Sequence, residues 1–141
     1  MFTLNEIVKA TSAKIYKEEK KEFSAIVTDT RKISEGVLFV ALKGERFNGE
    51  DFAAEALEKG AAGVVVSEAC DEKQLEKCAG TVLQVKDTLT AYQLIAKAWR
   101  EKFPQIPVVA ITGSNGKTTT KDLTAAVLSA KGPVLKKQAN F

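Results

Sequence analysis

The sequence predicts an α/β fold in two parts. Residues 1–86 read as a small α/β domain, and residues 87–141 as the first strand–loop–helix–strand unit of a second, parallel-sheet domain. Two observations predict this. Short apolar runs of strand length alternate with segments whose apolar residues recur at helical spacing. Near the C-terminal end, Gly113-Ser114-Asn115-Gly116-Lys117-Thr118-Thr119 stands between the apolar run Val108-Val109-Ala110-Ile111 and a helical pattern beginning near Lys121.

Taken in order, Thr3 followed by Glu6 reads as a capping box that opens a short helix through about Ala10. Lys14-Ile15-Tyr16 and residues 24–28 read as strands, and the charged stretch 17–22 between them as a solvated hairpin connection. Val37-Leu38-Phe39-Val40-Ala41-Leu42 is continuously apolar, the pattern of a strand buried on both faces. Phe52, Ala53, Ala56 and Leu57 then recur at helical spacing, and Gly60 stands where a left-handed terminating residue belongs. Gly63-Val64-Val65-Val66 reads as a strand, 71–77 as a polar helix and Thr81-Val82-Leu83-Gln84-Val85 as a further strand.

Asp87 or Thr88 caps a longer helix. Its apolar stripe is Leu89, Tyr92, Ile95, Ala96, Trp99 and Phe103, opposite Gln93, Lys97, Arg100 and Glu101, a pattern suited to packing on a sheet. Pro104 and Pro107 lead into the run 108–111. After the glycine loop, Leu123, Ala126, Val127 and Ala130 form the expected buried face of a helix that Gly132-Pro133 stops. A short strand, Val134-Leu135-Lys136, precedes Gln138-Ala139-Asn140-Phe141. One such unit cannot cover both faces of a parallel sheet, so the chain reads as the N-terminal piece of a longer protein, with an incomplete nucleotide site.

Composition narrows the function. Of the 141 residues, 28% are charged and 45% apolar, which is globular, and a net charge of +3 with scattered basic residues argues against nucleic acid. No apolar stretch has membrane-spanning length, and the first residues lack the pattern of a signal peptide. Cys70 and Cys78 have neither metal-ligand nor redox spacing and read as free thiols in a reducing cytosol. Histidine is absent, so any step needing an imidazole must use residues from outside this chain.

The glycine-bounded turn carries the chemistry. A strand ending at 111 and a helix beginning after Gly116 point several N–H groups and the positive end of a helix dipole at one place, which suits phosphate. Lys117 can reach a terminal phosphate oxygen, and the Thr118 hydroxyl can complete the shell of a Mg²⁺ ion. ATP or a close relative is the expected ligand. The strict P-loop spelling has a glycine where this chain has Ile111, so the pattern is the shorter Gly113-x-x-Gly116-Lys117-Thr118 form. The alternative is an ordinary glycine turn with a solvated lysine.

Four blocks in order resemble the Mur ligases, ATP-dependent amide-forming enzymes of bacterial peptidoglycan synthesis. They are Thr28-Asp29-Thr30-Arg31-Lys32-Ile33 with residues 36–44, Arg46-Phe47-Asn48-Gly49-Glu50-Asp51-Phe52, residues 110–119, and Ala139-Asn140-Phe141. Thr120-Lys121-Asp122-Leu123 and the closing block most resemble the cytoplasmic member that joins D-alanyl-D-alanine to UDP-N-acetylmuramoyl tripeptide. The member that adds the third amino acid is the nearest alternative, and a non-catalytic nucleotide-sugar-binding module is another.

The resemblance implies that residues 1–86 bind the UDP end of the substrate through Thr28, Asp29, Thr30, Arg31, Lys43, Gly44, Arg46 and Asn48, with Asn140 beyond them. It implies that Gly113, Ser114, Asn115, Gly116, Lys117, Thr118 and Thr119 bind ATP, with Lys117 catalytic and Thr118 on magnesium. It implies an acyl-phosphate route, small-molecule substrates, no membrane insertion, and further catalytic residues on the remainder of the polypeptide. The charges of Lys43 and Arg46 suit a diphosphate, although solvated side chains would look the same, and Asp29 and Arg31 equally suit a local ion pair that holds a turn. One departure stands out: where relatives often read Asp-Gly-His, this chain has Asn48-Gly49-Glu50.

Overall fold

The computed structural model describes residues 1–44 and 48–137. The chain divides into two compact units, Met1–Pro104 and Gln105–Phe141. The first is built on a five-stranded mixed sheet among the described residues. Its parallel strands are β4 (Ile26–Val27), β5 (Leu38–Val40), β6 (Gly63–Ser67) and β7 (Thr81–Val85). β2 (Lys14–Lys17) adds antiparallel to β7, giving the order β2-β7-β6-β5-β4. A separate two-stranded ladder joins β1 (Phe2–Thr3) to β3 (Glu22–Phe23).

Period-two alternation sorts the apolar strand residues between two cores. Phe39, Val64, Val66 and Val82 point to one face, covered by Ala53, Ala56 and Leu57 of helix α2 (Ala53–Glu58) and by Leu75 of α3 (Glu72–Glu76). Leu38, Val40, Val65, Leu83 and Val85 point to the other, covered by Leu4 and Ile7 of α1 (Leu4–Thr11) and by Ala91 and Ile95 of α4 (Thr88–Glu101). Helices on both faces explain the unbroken apolar runs Leu38–Val40 of β5 and Val64-Val65-Val66 of β6. The expected capping box is present: the Glu6 N–H donates to Thr3 Oγ1 at 3.3 Å, and the Thr3 N–H donates to Glu6 Oε2 at 3.0 Å. Gly60 is left-handed, with φ 104°.

Two local expectations fail for reasons of tertiary packing. The charged stretch 17–22 is not a hairpin connection. It carries the chain from β2 in the large sheet to β3 in the small one, and the buried Thr81 fastens it. Thr81 Oγ1 accepts from the N–H groups of Glu19 (3.0 Å) and Lys20 (2.7 Å) and donates to the Lys20 carbonyl (2.9 Å). The inward face of α4 is also turned from the expected stripe. Thr88, Ala91 and Ile95 are buried, while Leu89, Tyr92 and Ala96 face outward, Leu89 at 52% exposure. Contacts at the far end of the helix accompany this rotation: Trp99 lies against Phe2 at 4.4 Å with the rings tilted by 33°, and meets Phe103 edge-on at 5.5 Å. The expected boundary near residue 86 and the end of the compact unit at Pro104 therefore differ by this one helix.

In the second unit, helix α5 (Lys117–Ser129) begins at Lys117 rather than near Lys121. The runs 108–111 and 134–136 form no strand among the described residues, because a strand is defined by a hydrogen-bonded neighbour and none pairs with them. The expected buried face of α5 is uncovered, with Leu123 and Val127 at 63% and 72% exposure.

Thr81 gives a stability prediction. Thr81→Val keeps the shape but strips the partner from three backbone groups, and is expected to cost about 2–3 kcal/mol in denaturant unfolding, with Thr81→Ser close to wild type. Equal midpoints for the Val variant and wild type would contradict the fastening role.

Candidate functional site

The glycine loop is built by backbone conformation. Gly116 is the N-cap of α5 with φ 75°, and no side chain caps the helix. A Cβ at Gly116 would meet nothing within 4 Å, so the requirement for glycine there is the left-handed turn and not space. Gly113 also has positive φ, 148°. The first-turn N–H groups of a helix have no intrahelical acceptor, and here the partial positive charge of the helix end adds to the Lys117 ammonium. That ammonium folds back over the loop, donating to the carbonyl of Gly113 at 2.5 Å and lying 3.5 Å from that of Ser114.

The donor set is main-chain amides, an ammonium and the hydroxyls of Ser114, Thr118 and Thr119, with no carboxylate in the loop. It fits a polyphosphate. It also fits magnesium held in the usual way, largely by phosphate oxygens and water with one hydroxyl from the protein. No cluster of three or more His, Cys, Asp or Glu side chains exists among the described residues to hold a metal without such help. The nearest acid on α5, Asp122, is paired with Lys136 at 3.0 Å, which holds its carboxyl below the usual range.

The second set of candidates lies at the carboxyl edge of the parallel sheet. β4 and β5 are hydrogen-bonded neighbours in parallel register (Ile26↔Leu38, Val27↔Phe39), so the segments leaving them start side by side. This brings Thr28, Asp29, Thr30 and Arg31 to the same edge as Lys43, Gly44 and Asn48, where α/β sheets receive ligands. Asp29 caps the 3₁₀ turn Thr30–Lys32, accepting from the Arg31 N–H at 2.9 Å. Its carboxylate also accepts from Arg31 Nε at 3.0 and 3.1 Å and from Nη2 at 2.6 Å. The local ion pair is thus formed, and the Arg31 side chain stays 87% exposed.

Across from it, Lys43 and Asn48 form an isolated antiparallel bridge. The turn that follows, Gly49–Phe52, is capped by the Asn48 side chain. Gly49 donates to the Leu42 carbonyl at 3.0 Å, and a Cβ at Gly49 would sit 2.6 Å from that oxygen, so only glycine fits. Lys43 and Gly44 are exposed, whereas Thr28, Thr30 and Asn48 are half-buried. Arg46 and Asn140 lie outside the described residues.

Glu50 was not among the candidates of the sequence, yet it ties this loop to a distant strand: the Ser67 N–H donates to Glu50 Oε1 at 2.8 Å. Neither periodicity nor spacing signals a bond between residues 50 and 67. A cleft of about 530 Å³ at the carboxyl ends of β6 and β7 was likewise unforeseen. Its charged groups are largely engaged with the protein itself, Lys14 with Glu68 at 2.9 Å and Asp87 with the Thr90 N–H at 2.7 Å. Cys70 and Cys78 are buried free thiols, and burial pushes Cys70 up to about 11, so both stay protonated and inert near neutrality.

Comparison with known proteins identifies the arrangement. The family described as "Mur ligase family, catalytic domain" matches residues 22–100, and the "Mur ligase middle domain" matches residues 111–140. A UDP-N-acetylmuramoyl-tripeptide–D-alanyl-D-alanine ligase from Synechocystis is 50% identical over 118 residues, covering 82% of this chain and 25% of the relative. A MurF crystal structure from Acinetobacter baumannii superposes with a TM-score of 0.81 at 33% identity, over 94% of this chain and 28% of that one. A MurF ligase from Thermotoga maritima, solved in complex with ADP, matches with a TM-score of 0.60 at 34% identity, over 76% and 23%. The chain spans about a quarter of the length of these relatives.

The Asp29–Arg31 pair has a pH signature. The hydrogen bonds from the Arg31 side chain, with that from its N–H, lower the Asp29 carboxyl from 3.8 to about 2. A carboxyl whose folded value lies below its unfolded one stabilises the turn fully above the unfolded value, and that contribution is lost as pH falls through about 2. Carboxyl-carbon NMR titration is expected to give a midpoint near 2, returning toward 3.8 in Arg31→Gln. A wild-type midpoint near 3.8 would mean that the pair does not persist in solution.

Proposed function

The chain belongs to the Mur ligase family, and on that footing we propose that the whole protein joins D-alanyl-D-alanine to the terminal carboxylate of UDP-N-acetylmuramoyl tripeptide, using ATP. The observation that carries the reading is the loop at the start of α5: a left-handed Gly116, a helix end with no side-chain cap, and Lys117 folded over the turn. Relatives 41–50% identical to this chain are named for this reaction, whereas those named for adding 2,6-diaminopimelate are 32–39% identical, and one MurF ligase was solved with ADP.

Residues 1–86 are assigned to the UDP-sugar end of the substrate and residues 87–141 to the start of the ATP-binding domain. In this reading the main-chain N–H groups of residues 114–118 hold the phosphate tail. Lys117 moves its charge from the Gly113 carbonyl to the γ-phosphoryl oxygens, where charge develops during transfer. Thr118 is the residue of this chain that would hold magnesium, which when bound neutralises charge on the phosphate oxygens. The tripeptide carboxylate attacks the γ-phosphorus and ADP departs, leaving an acyl phosphate. The dipeptide amine, after losing a proton, attacks the acyl carbon, and inorganic phosphate leaves as the amide forms. The chain has no histidine, so the base that takes that proton is not an imidazole of this segment.

At the sheet edge, Thr28, Thr30, Lys43, Gly44 and Asn48 are proposed to receive the UDP group, with Asp29 holding the turn by its pair with Arg31. Arg46 and Asn140 are proposed contacts on resemblance alone. The reaction is placed in the cytoplasm, in keeping with two buried free thiols. No helix among the described residues is long and apolar enough to cross a membrane.

In the whole protein, Lys117→Ala is expected to lower the rate of ATP-dependent ligation at least about a hundredfold, the scale of losing one preorganised electrostatic contact, with unfolding unchanged. Near-normal turnover would sink the loop assignment. The 141-residue chain alone is expected to form no amide product from ATP, tripeptide nucleotide and dipeptide. Measurable turnover by it would refute the need for the rest of the protein.

A further inference from the structure

Strand β5 leaves the ladder early. Its last pair with β6 is Val40↔Val65, and the Ala41 N–H still donates to the Val65 carbonyl at 2.9 Å. β6 runs on to Ser67, paired on its other side with Val85 of β7. Along a strand, alternate N–H groups point to opposite neighbours. The Glu68 N–H goes to the Val85 carbonyl, so the Ser67 N–H points toward the side that β5 has vacated. Glu50 fills that place: its Oε1 accepts from the Ser67 N–H at 2.8 Å. The same carboxylate lies 3.5 Å from Asn48 Nδ2, and the Glu50 N–H points at Asn48 Oδ1 at 3.4 Å. The next residue makes a second tie, Asp51 Oδ1 accepting from Gln74 Nε2 of α3 at 3.0 Å.

We propose that Glu50 is a positioning residue for the sugar-nucleotide site, clipping the Lys43–Asn48 bridge to the end of β6 in place of a missing ladder partner. This rests on the assignment of the sheet edge to the UDP end of the substrate. The Glu50 carboxylate is turned onto the Ser67 N–H and Asn48 of the protein itself, which makes its role one of positioning. Its effect passes through Asn48 and the backbone bridge to Lys43, whose exposed ammonium must stand at a fixed place to meet a diphosphate. The role needs an acceptor oxygen at the end of a two-methylene stem, and charge is secondary.

That separation of reach from charge gives the test. Glu50→Gln keeps reach and acceptor but loses the charge, whereas Glu50→Asp keeps the charge and shortens the stem. The wild-type chain and both variants are titrated with UDP-N-acetylmuramoyl tripeptide by calorimetry, and exchange of the Ser67 amide is followed by NMR. The Gln variant is expected to bind within about threefold of wild type with a protected Ser67 amide. The Asp variant is expected to bind about tenfold more weakly with faster exchange, the scale of one lost hydrogen bond to a charged acceptor. Glu50→Ala should match the Asp variant. An Asp variant that binds as wild type does, or a Gln variant as weak as Ala, overturns the positioning role. Failure of the wild-type chain itself to bind the nucleotide refutes the substrate assignment of the sheet edge, and this role falls with it. In that case Ser67 protection still reports whether the clip exists.

Discussion

The parallel ladder of β4, β5, β6 and β7 is the constraint on which the first unit depends. Because the strands are buried on both faces, their register cannot slip by one residue without moving Phe39, Val64 and Val82 from one core to the other. Register in turn fixes which loops emerge side by side. The segments that leave β4 at Thr28 and β5 after Val40 start side by side only because Val27 pairs with Phe39. The edge proposed to receive the substrate is therefore set by valine, leucine and phenylalanine packing rather than by its polar side chains.

On that edge, short-range polar bonds shape the loops. Asp29, Asn48, Asp71 and Asp87 each turn a side-chain oxygen onto an N–H two or three residues ahead. These caps cost little and need no tertiary partner. They set the loops but do not anchor them to the sheet. Anchoring there comes from the rarer long-range bonds, Glu50 to Ser67 of β6 and Asp51 to Gln74 of α3, as Thr81 anchors the 19–20 segment at the opposite edge.

The second unit illustrates the opposite case. Its glycine loop keeps a left-handed Gly116 and an orienting Lys117 although the flanking runs 108–111 and 134–136 have no ladder among the described residues. A left-handed glycine and the helical turn after it depend on neighbouring residues, so the loop takes this shape without a paired strand beside it. Leu123 and Val127 remain exposed because the burial of a helix face is not local.

What could be read from residue order alone was whatever depends on neighbours a few positions away. The capping box at Thr3, the left-handed Gly60, the strand runs at 63–66 and 81–85, and the glycine loop all obey rules of spacing that need no folded context. The family blocks were legible for the same reason. The inward face of α4 was not, because Leu89 and Ala91 are both apolar and only contacts such as Phe2 on Trp99 decide which is buried. The path of residues 17–22 between two sheets, and the bond from Glu50 to Ser67, were equally hidden. Each joins groups far apart in the chain, and the free energy of such a contact exists only after the strands between them have packed.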